Sequence, residues 1–296
     1  MLVFSGSSNL ILAKKIAKSL RTRLGKMQLS KFPNDEIRVW VREKQIGKKA
    51  VIVQSLSHPT DTHLLEFCLI ADALKRKGVK EITAVIPWLG YSKQDRVFRS
   101  GEPLSALVVA KILQITPLKK VIFYDLHKPE IARFFKGKVI NLSGRKLFRD
   151  YFKNKVDQET VVVAPDAGAR ESSARFARNL GVSIAYIKKT RDLNTGEIKI
   201  KGISRNVIGK KVLIKDDMIA TGGTLLEGAK FLIKHGAKSI DVAATHHLYL
   251  PGVQKKFDQS LINSLLVTDT IKPKNGHGKL KIISVADKIA EAIRAK

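Results

Sequence analysis

The sequence has one cysteine, Cys68, in 296 residues, so no disulfide framework can form within the chain. Cys68 lies inside the apolar-periodic stretch Leu64–Leu74, where a buried structural thiol is expected rather than a nucleophile. No apolar run approaches the ~18–20 residues that a membrane-spanning helix needs, which excludes such a helix. The N-terminal MLVFSGSSNLILAKKIAKSL lacks both a basic lead and a small-residue cleavage site, so it is not expected to act as a signal peptide. A cytoplasmic location follows as the expectation. Acidic residues are scarce: 26 Asp and Glu stand against 55 Lys and Arg, a formal charge of +29. Glycine and proline are present at ordinary levels, which excludes a low-complexity or collagen-like chain.

What is present describes a globular protein. The chain is 44% hydrophobic and 27% charged, enough apolar content for genuine cores, and its length suits about two domains. The positive charge favours anionic partners. Polyphosphorylated small molecules suffice for that role. Nucleic acid would demand basic residues gathered on one surface, and here the lysines are spread along the chain without a block of five or six like charges.

Short apolar runs alternate with longer amphipathic ones. The runs 2–5, 50–54, 82–87, 121–124, 161–165, 183–188, 212–215 and 241–246 are rich in Val and Ile and read as buried strands. Stretches 9–24, 62–77, 104–115, 145–152, 169–179 and 224–235 carry helical spacing, and several end at Lys-Gly, His-Gly or Leu-Gly. Such alternation predicts an α/β fold, each sheet mostly parallel and flanked by helices. The two halves also resemble each other. Lys49–Glu66 aligns with Lys210–Glu227, so that Leu64-Leu65-Glu66 falls on Leu225-Leu226-Glu227. A duplicated α/β unit explains this, with a boundary near Asn141–Gly144 and domains over 1–142 and 143–296.

The strongest motif is VLIKDDMIATGGT, Val212 to Thr224. A buried strand leads into two acids, Asp216 and Asp217, followed by Thr221-Gly222-Gly223-Thr224 and a helix. Paired glycines let the backbone turn tightly and expose its N–H groups, and a helix N-terminus favours a phosphate dianion. Carboxylates at the strand's end can accept hydrogen bonds from the vicinal hydroxyls of a ribose. In the first half the matching positions are Ser55, Leu56, Asp61 and Thr62, so that copy lacks both the acids and the phosphate turn.

The segment 212–224 resembles the phosphoribosyl-binding motif of type I phosphoribosyltransferases and of ribose-phosphate diphosphokinases. Three further segments resemble the diphosphokinases, in an archaeal-like form: FPNDEIRV (32–39), PWLGYSKQDRVFRSGEPLSA (87–106) and YDLHKPEIARFF (124–135). With APDAG (164–168) the similarity runs through nearly the whole chain in order. The resemblance implies two similar type I phosphoribosyltransferase-like domains, the N-terminal one contributing to ATP and the C-terminal one binding ribose 5-phosphate. It implies that Asp216 and Asp217 hold the ribose hydroxyls, and that the loop Ala220, Thr221, Gly222, Gly223 and Thr224 surrounds the 5-phosphate. For ATP it implies Asn34, Asp35, Glu36, Lys93, Gln94 and Arg96. His127 and Asp166 correspond to residues around a catalytic Mg²⁺, and Lys189 and Arg191 to a catalytic pair on a closing loop.

The implied reaction transfers the diphosphoryl group of ATP to the anomeric hydroxyl of ribose 5-phosphate, leaving AMP. A homodimer or larger homo-oligomer is the implied assembly. Four positions depart from the family pattern. Ala220 stands where an acid or serine is common, Asn34 where an acid is, Asp35 where glycine is, and Thr190 where a basic residue is. Two other readings are a phosphoribosyltransferase, which leaves the first half unexplained, and a catalytically silent regulatory relative.

Overall fold

The computed structural model describes residues 1–191, 198–274 and 278–295. The chain forms two compact units. One comprises Met1–Ser143 with the returning segments Asp269–Lys272 and Ser284–Lys296; the other comprises Gly144–Thr268 with Pro273–Ile283. Residues 284 onward therefore group with the first unit, whereas the division at 142/143 assigned them to the second half.

The first unit runs β1 (Leu2–Ser5), α1 (Leu10–Ser19), β2 (Met27–Lys31), β3 (Ile37–Val41), β4 (Lys49–Val53), α2 (Thr60–Arg76), β5 (Glu81–Ile86), α3 (Ser105–Leu113), β6 (Lys120–Tyr124) and β7 (Lys138–Leu142). Five strands form a parallel sheet in the order β1-β4-β5-β6-β7. Strands β4 and β6 are buried along almost their whole length, as a sheet covered on both faces requires. Phe4, Ile52, Phe67, Ile70, Leu74 and Phe123 lie in the core so formed. Cys68 is half-buried at its margin, and burial pushes its thiol up to about 11, so it stays a protonated packing group. Strands β2 and β3 form a separate antiparallel hairpin with only partial burial.

The second unit runs α4 (Arg145–Phe152), β8 (Thr160–Ala164), α5 (Arg170–Leu180), β9 (Ser183–Arg191), β10 (Ile198–Ile203), β11 (Lys211–Ile219), α6 (Gly223–Lys234), β12 (Ser239–His247), α7 (Val253–Asp258), β13 (Ser264–Thr268) and β14 (Leu280–Ile283). Its seven-stranded sheet has the order β10-β9-β8-β11-β12-β13-β14, all parallel except β10 against β9. From β8 the chain proceeds outward to β9; from β11 it proceeds the opposite way to β12 and β13. The order thus reverses between β8 and β11, the place where open α/β sheets bind ligands at their strand carboxyl ends.

The returning segment is fastened inside the first unit. Asp269 bonds Lys15 at 2.7 Å and accepts the Val285 N–H at 2.9 Å, while its carbonyl accepts from Asn9 Nδ2 at 2.8 Å. Ser55, the position matching Asp216 in the internal repeat, donates its hydroxyl to the Thr270 carbonyl. In this copy the strand end holds chain rather than ligand. Helix α8 (Ala286–Arg294) then packs on α1. Its carbonyl end meets Lys120, whose Nζ donates to Ala292 and Ile293 at 3.2 and 3.3 Å and also to Ala295. A buried ammonium answering three carbonyls complements the negative end of the helix. Burial, and then Lys138, lower the Lys120 pKa. Lys120→Ala leaves those carbonyls unsatisfied and is expected to destabilise the first unit by about 1–3 kcal/mol. Hydrogen exchange should show faster exchange in α8, and unchanged protection there would contradict this.

Candidate active site

Strand β11 pairs with β8 only over Lys211–Leu213, but it continues beside β12 through Ile219. It therefore runs past the end of β8, and Asp216 and Asp217 occupy this one-sided stretch, opposite Asp166 just beyond β8. The sequence ended this strand at Lys215; it extends farther because β12 accompanies it to His247. Asp216 accepts the Asp217 N–H at 2.8 Å, and Asp166 Oδ1 accepts the Ala169 N–H at 2.9 Å.

Three carboxylates in this corner repel one another. Burial, then the neighbouring Asp217 and the charge of Asp166, raise Asp216 well above the usual carboxylate range. The sign follows from proton binding: folded Asp216 keeps its proton to higher pH than the unfolded chain does. Stability is therefore retained below the unfolded value of about 4 and declines as pH rises through the raised value. Asp216→Asn keeps the acceptor for the Asp217 N–H and removes the charge. It is expected to raise the thermal midpoint at about pH 8, by ~2–4 °C per kcal/mol relieved, while weakening ribose 5-phosphate binding. A lowered midpoint at that pH would contradict the repulsion.

The loop after β11 turns through Ala220 and Thr221 into Gly222, which adopts a left-handed conformation with φ 76°. Helix α6 begins at Gly223, and no side chain caps it. The N–H groups of its first turn are thus presented with Thr221 and Thr224 around them, an anion-binding arrangement. Ala220 contributes no polar side chain.

Strand β9 likewise runs past β8, which pairs with it only as far as Ala164 opposite Tyr186. The backbone of Lys189 and Arg191 lies in that extension, paired with β10. Their side chains lie outside the described residues, as does the segment 192–197 between the two strands.

In the first unit Asn34, Asp35 and Glu36 form the turn of the β2–β3 hairpin. Asp35 is left-handed with φ 66°, a conformation that glycine adopts without strain. Aspartate tolerates it here with a 2.9 Å pair to Lys31. Asn34 accepts the Glu36 N–H at 3.4 Å, and Phe32 N–H closes the turn on the Glu36 carbonyl at 2.8 Å.

Lys93, Gln94 and Arg96 lie in the loop between β5 and α3. Gln94 accepts from Ser105 Oγ at 2.5 Å at the start of α3, and Arg96 rests 4.8 Å over the Phe98 ring. No hydrogen bond joins this loop to the hairpin turn among the described residues. His127 follows β6, on a turn held by Asp125 N–H to the Leu142 carbonyl at 2.7 Å and Leu126 N–H to Asn141 at 3.1 Å.

His127 and Asp166 belong to different units, so neither unit alone supplies the expected metal pair. Among the described residues no three His, Cys, Asp or Glu converge into a metal cage. The donor chemistry nevertheless suits a hard cation. Carboxylate oxygens are its preferred ligands, and the repulsion raising Asp216 is what a cation relieves.

Comparison with known proteins agrees with this geometry. Residues 1–116 match the sequence model for the N-terminal domain of ribose phosphate pyrophosphokinase, and residues 134–270 match the phosphoribosyl transferase domain. The ribose-phosphate pyrophosphokinase of Helicobacter hepaticus is 36% identical over 292 residues, covering 99% of this chain and 94% of that protein. The enzyme of the same name from Thermotoga maritima is 36% identical over 296 residues, with the same coverage. The crystal structure of phosphoribosylpyrophosphate synthetase from Mycobacterium smegmatis superposes with a TM-score of 0.92 at 33% identity, covering 99% of this chain and 97% of that one. With one sugar-phosphate loop, a second α/β unit that lacks it, and full-length similarity at this level, the chain belongs to the ribose-phosphate pyrophosphokinase family.

Proposed function

We propose that the protein transfers the diphosphoryl group of ATP to the anomeric hydroxyl of ribose 5-phosphate, giving 5-phosphoribosyl 1-diphosphate and AMP. The observation that carries this reading is the reversal point between β8 and β11, where an uncapped helix N-terminus and two strand-end acids stand together. The loop Ala220–Thr224 binds the 5-phosphate through its N–H groups and the Thr221 and Thr224 hydroxyls. Asp216 and Asp217 accept hydrogen bonds from the ribose hydroxyls. In the first unit Glu36, with Asn34 and Asp35, recognises the nucleoside, while Lys93, Gln94 and Arg96 hold the polyphosphate by charge-assisted bonds.

The sugar's anomeric oxygen forms the new bond to the β-phosphorus as the bond from that phosphorus to the oxygen bridging α and β breaks. AMP departs with that oxygen, and the proton of the anomeric hydroxyl passes to solvent. Phosphoryl transfer of this kind depends mainly on the positioning of its two substrates. Lys189 and Arg191 stabilise the charge that develops on the transferring group. His127 in the first unit and Asp166 in the second are the residues that would hold Mg²⁺, which would supply charge neutralisation for the polyphosphate.

The protein acts in the cytoplasm as a homodimer or a larger homo-oligomer, with no nucleic-acid partner. No helix among the described residues is long and apolar enough to cross a membrane. The nucleotide product tests the reading: chromatography should find AMP formed only when ribose 5-phosphate is present. ADP as the product would indicate simple γ-phosphoryl transfer and overturn it.

A further inference from the structure

Behind the phosphate loop lies a buried aromatic cluster that the proposed chemistry does not use. His247 ends β12 directly opposite Ile219, the last residue of β11, and is 0% exposed. The neighbouring Leu248 N–H donates to the Ile219 carbonyl at 2.9 Å. The imidazole stacks on Tyr249 with centroids 4.1 Å apart and planes 14° from parallel, and the Phe257 ring lies 6.3 Å from it. Phe257 in turn closes on the loop itself. A Cβ placed on Gly222 would stand 2.5 Å from Phe257 Cε2 and 2.9 Å from Cζ. The rings therefore form a continuous wall from Tyr249 through His247 and Phe257 to the left-handed turn.

The state of the imidazole follows from its partners. Nδ1 accepts the Tyr249 N–H at 2.8 Å, so the ring proton resides on Nε2. Burial pushes the pKa of His247 down to about 4, and the ring is neutral in ordinary buffers. Nε2 and Gln254 Oε1 are both buried, and a side-chain interaction with Gln254 raises the His247 pKa against the larger, lowering effect of burial. Gln254 is itself oriented by its Nε2, which donates to Asp258 at 2.9 Å. The Nε2 donor and the Gln254 acceptor thus meet beside the stacked rings, each side chain oriented by a further hydrogen bond.

We propose that His247 is a positioning residue for the phosphate loop. Through Phe257 its ring fixes the turn at Gly222, and so the aim of the first-turn N–H groups of α6 at the 5-phosphate. Displacing those groups by a fraction of an ångström weakens every phosphate hydrogen bond together, because they share one rigid turn. The inference deepens the reading of this loop as the ribose 5-phosphate site and rests on it.

Calorimetric binding of ribose 5-phosphate to the full chain, with steady-state kinetics, tests it. His247→Asn can retain an acceptor for the Tyr249 N–H but loses the ring; it should raise Kd and KM for ribose 5-phosphate about tenfold, near 1.4 kcal/mol. KM for ATP and kcat should stay within about twofold, because uniform binding is what is lost. His247→Phe restores the ring and should return the affinity to within about threefold of the parent. Phe257→Leu keeps an apolar core and should reproduce the Asn effect even if His247→Asn does not fold.

Parent-like affinity in both His247→Asn and Phe257→Leu overturns the proposal. So does an equal rise in KM for ATP, which marks general loosening. A parent protein that fails to bind ribose 5-phosphate removes the site reading and the proposal with it, whereas a binding parent with indifferent variants removes the proposal alone.

Discussion

Lys189→Ala is expected to lower kcat by about 10²–10³-fold while leaving KM for ribose 5-phosphate within about twofold. The expectation rests on where charge moves. In the proposed reaction Lys93 and Arg96 meet the negative charge that ATP already carries in the ground state. As the bond to the departing AMP lengthens, charge grows on the bridging oxygen and spreads over the transferring group. A cation that meets this charge only then stabilises the transition state alone, and its removal lowers kcat without weakening sugar binding. The backbone of Lys189 is in register with Ile200 of β10, on the part of β9 that extends past Ala164. That places it at the same sheet edge as the sugar loop and Asp166. Single-turnover rates with saturating substrates isolate the step. A variant with parent-like kcat and a raised KM for ATP would reassign Lys189 to ground-state nucleotide binding.

Gly222→Ala is the second large effect, and its cause is steric. At φ 76° an alanine is strained by roughly 1–2 kcal/mol. Its Cβ also meets the Phe257 ring at 2.5 Å, a distance real contacts do not tolerate. Forcing an additional methyl group into a packed site costs about 1–3 kcal/mol more. The loop can avoid this only by rotating its N–H groups out of position. Ribose 5-phosphate affinity should fall at least ~30-fold, and the second unit should unfold at a lower temperature. Gly223→Ala is the control, because its Cβ would find only Thr221 Oγ1 at 3.8 Å and its φ is ordinary. That variant should fold like the parent. Equal affinities in Gly222→Ala and the parent would mean that the turn is not the phosphate site.

Much of this was legible in the sequence because it is local. Strands β4, β6 and β8 announce themselves as continuous Val and Ile runs, since both faces of a parallel sheet are covered. The sugar loop is legible because strand, acids, glycine pair and helix follow one another within thirteen residues, 212–224. The β2–β3 hairpin escaped strand assignment because its residues are only half-buried and mix polar with apolar types.

Helix α8 shows apolar spacing at Ala286, Ile289, Ala290 and Ile293, all buried. Its return to the first unit, however, depends on Asp269 and Lys120, contacts with no local signal. His247 escaped notice for a similar reason. In the sequence it extends a strand, and only the fold brings Phe257 between it and Gly222. Asp35 shows the converse: its departure from the glycine that the resemblance implies is visible in sequence, but the left-handed backbone it must adopt is visible only in structure.

Phosphorus NMR of the reaction follows diphosphoryl transfer atom by atom. With ATP, ribose 5-phosphate and Mg²⁺, ATP resonances should give way to AMP and a sugar-linked diphosphate in equal amounts. That conversion should nearly vanish in Lys189→Ala while the sugar still binds. Retained ATP alongside tight ribose 5-phosphate binding in the parent would instead mark a sugar-phosphate-binding relative without the transfer activity.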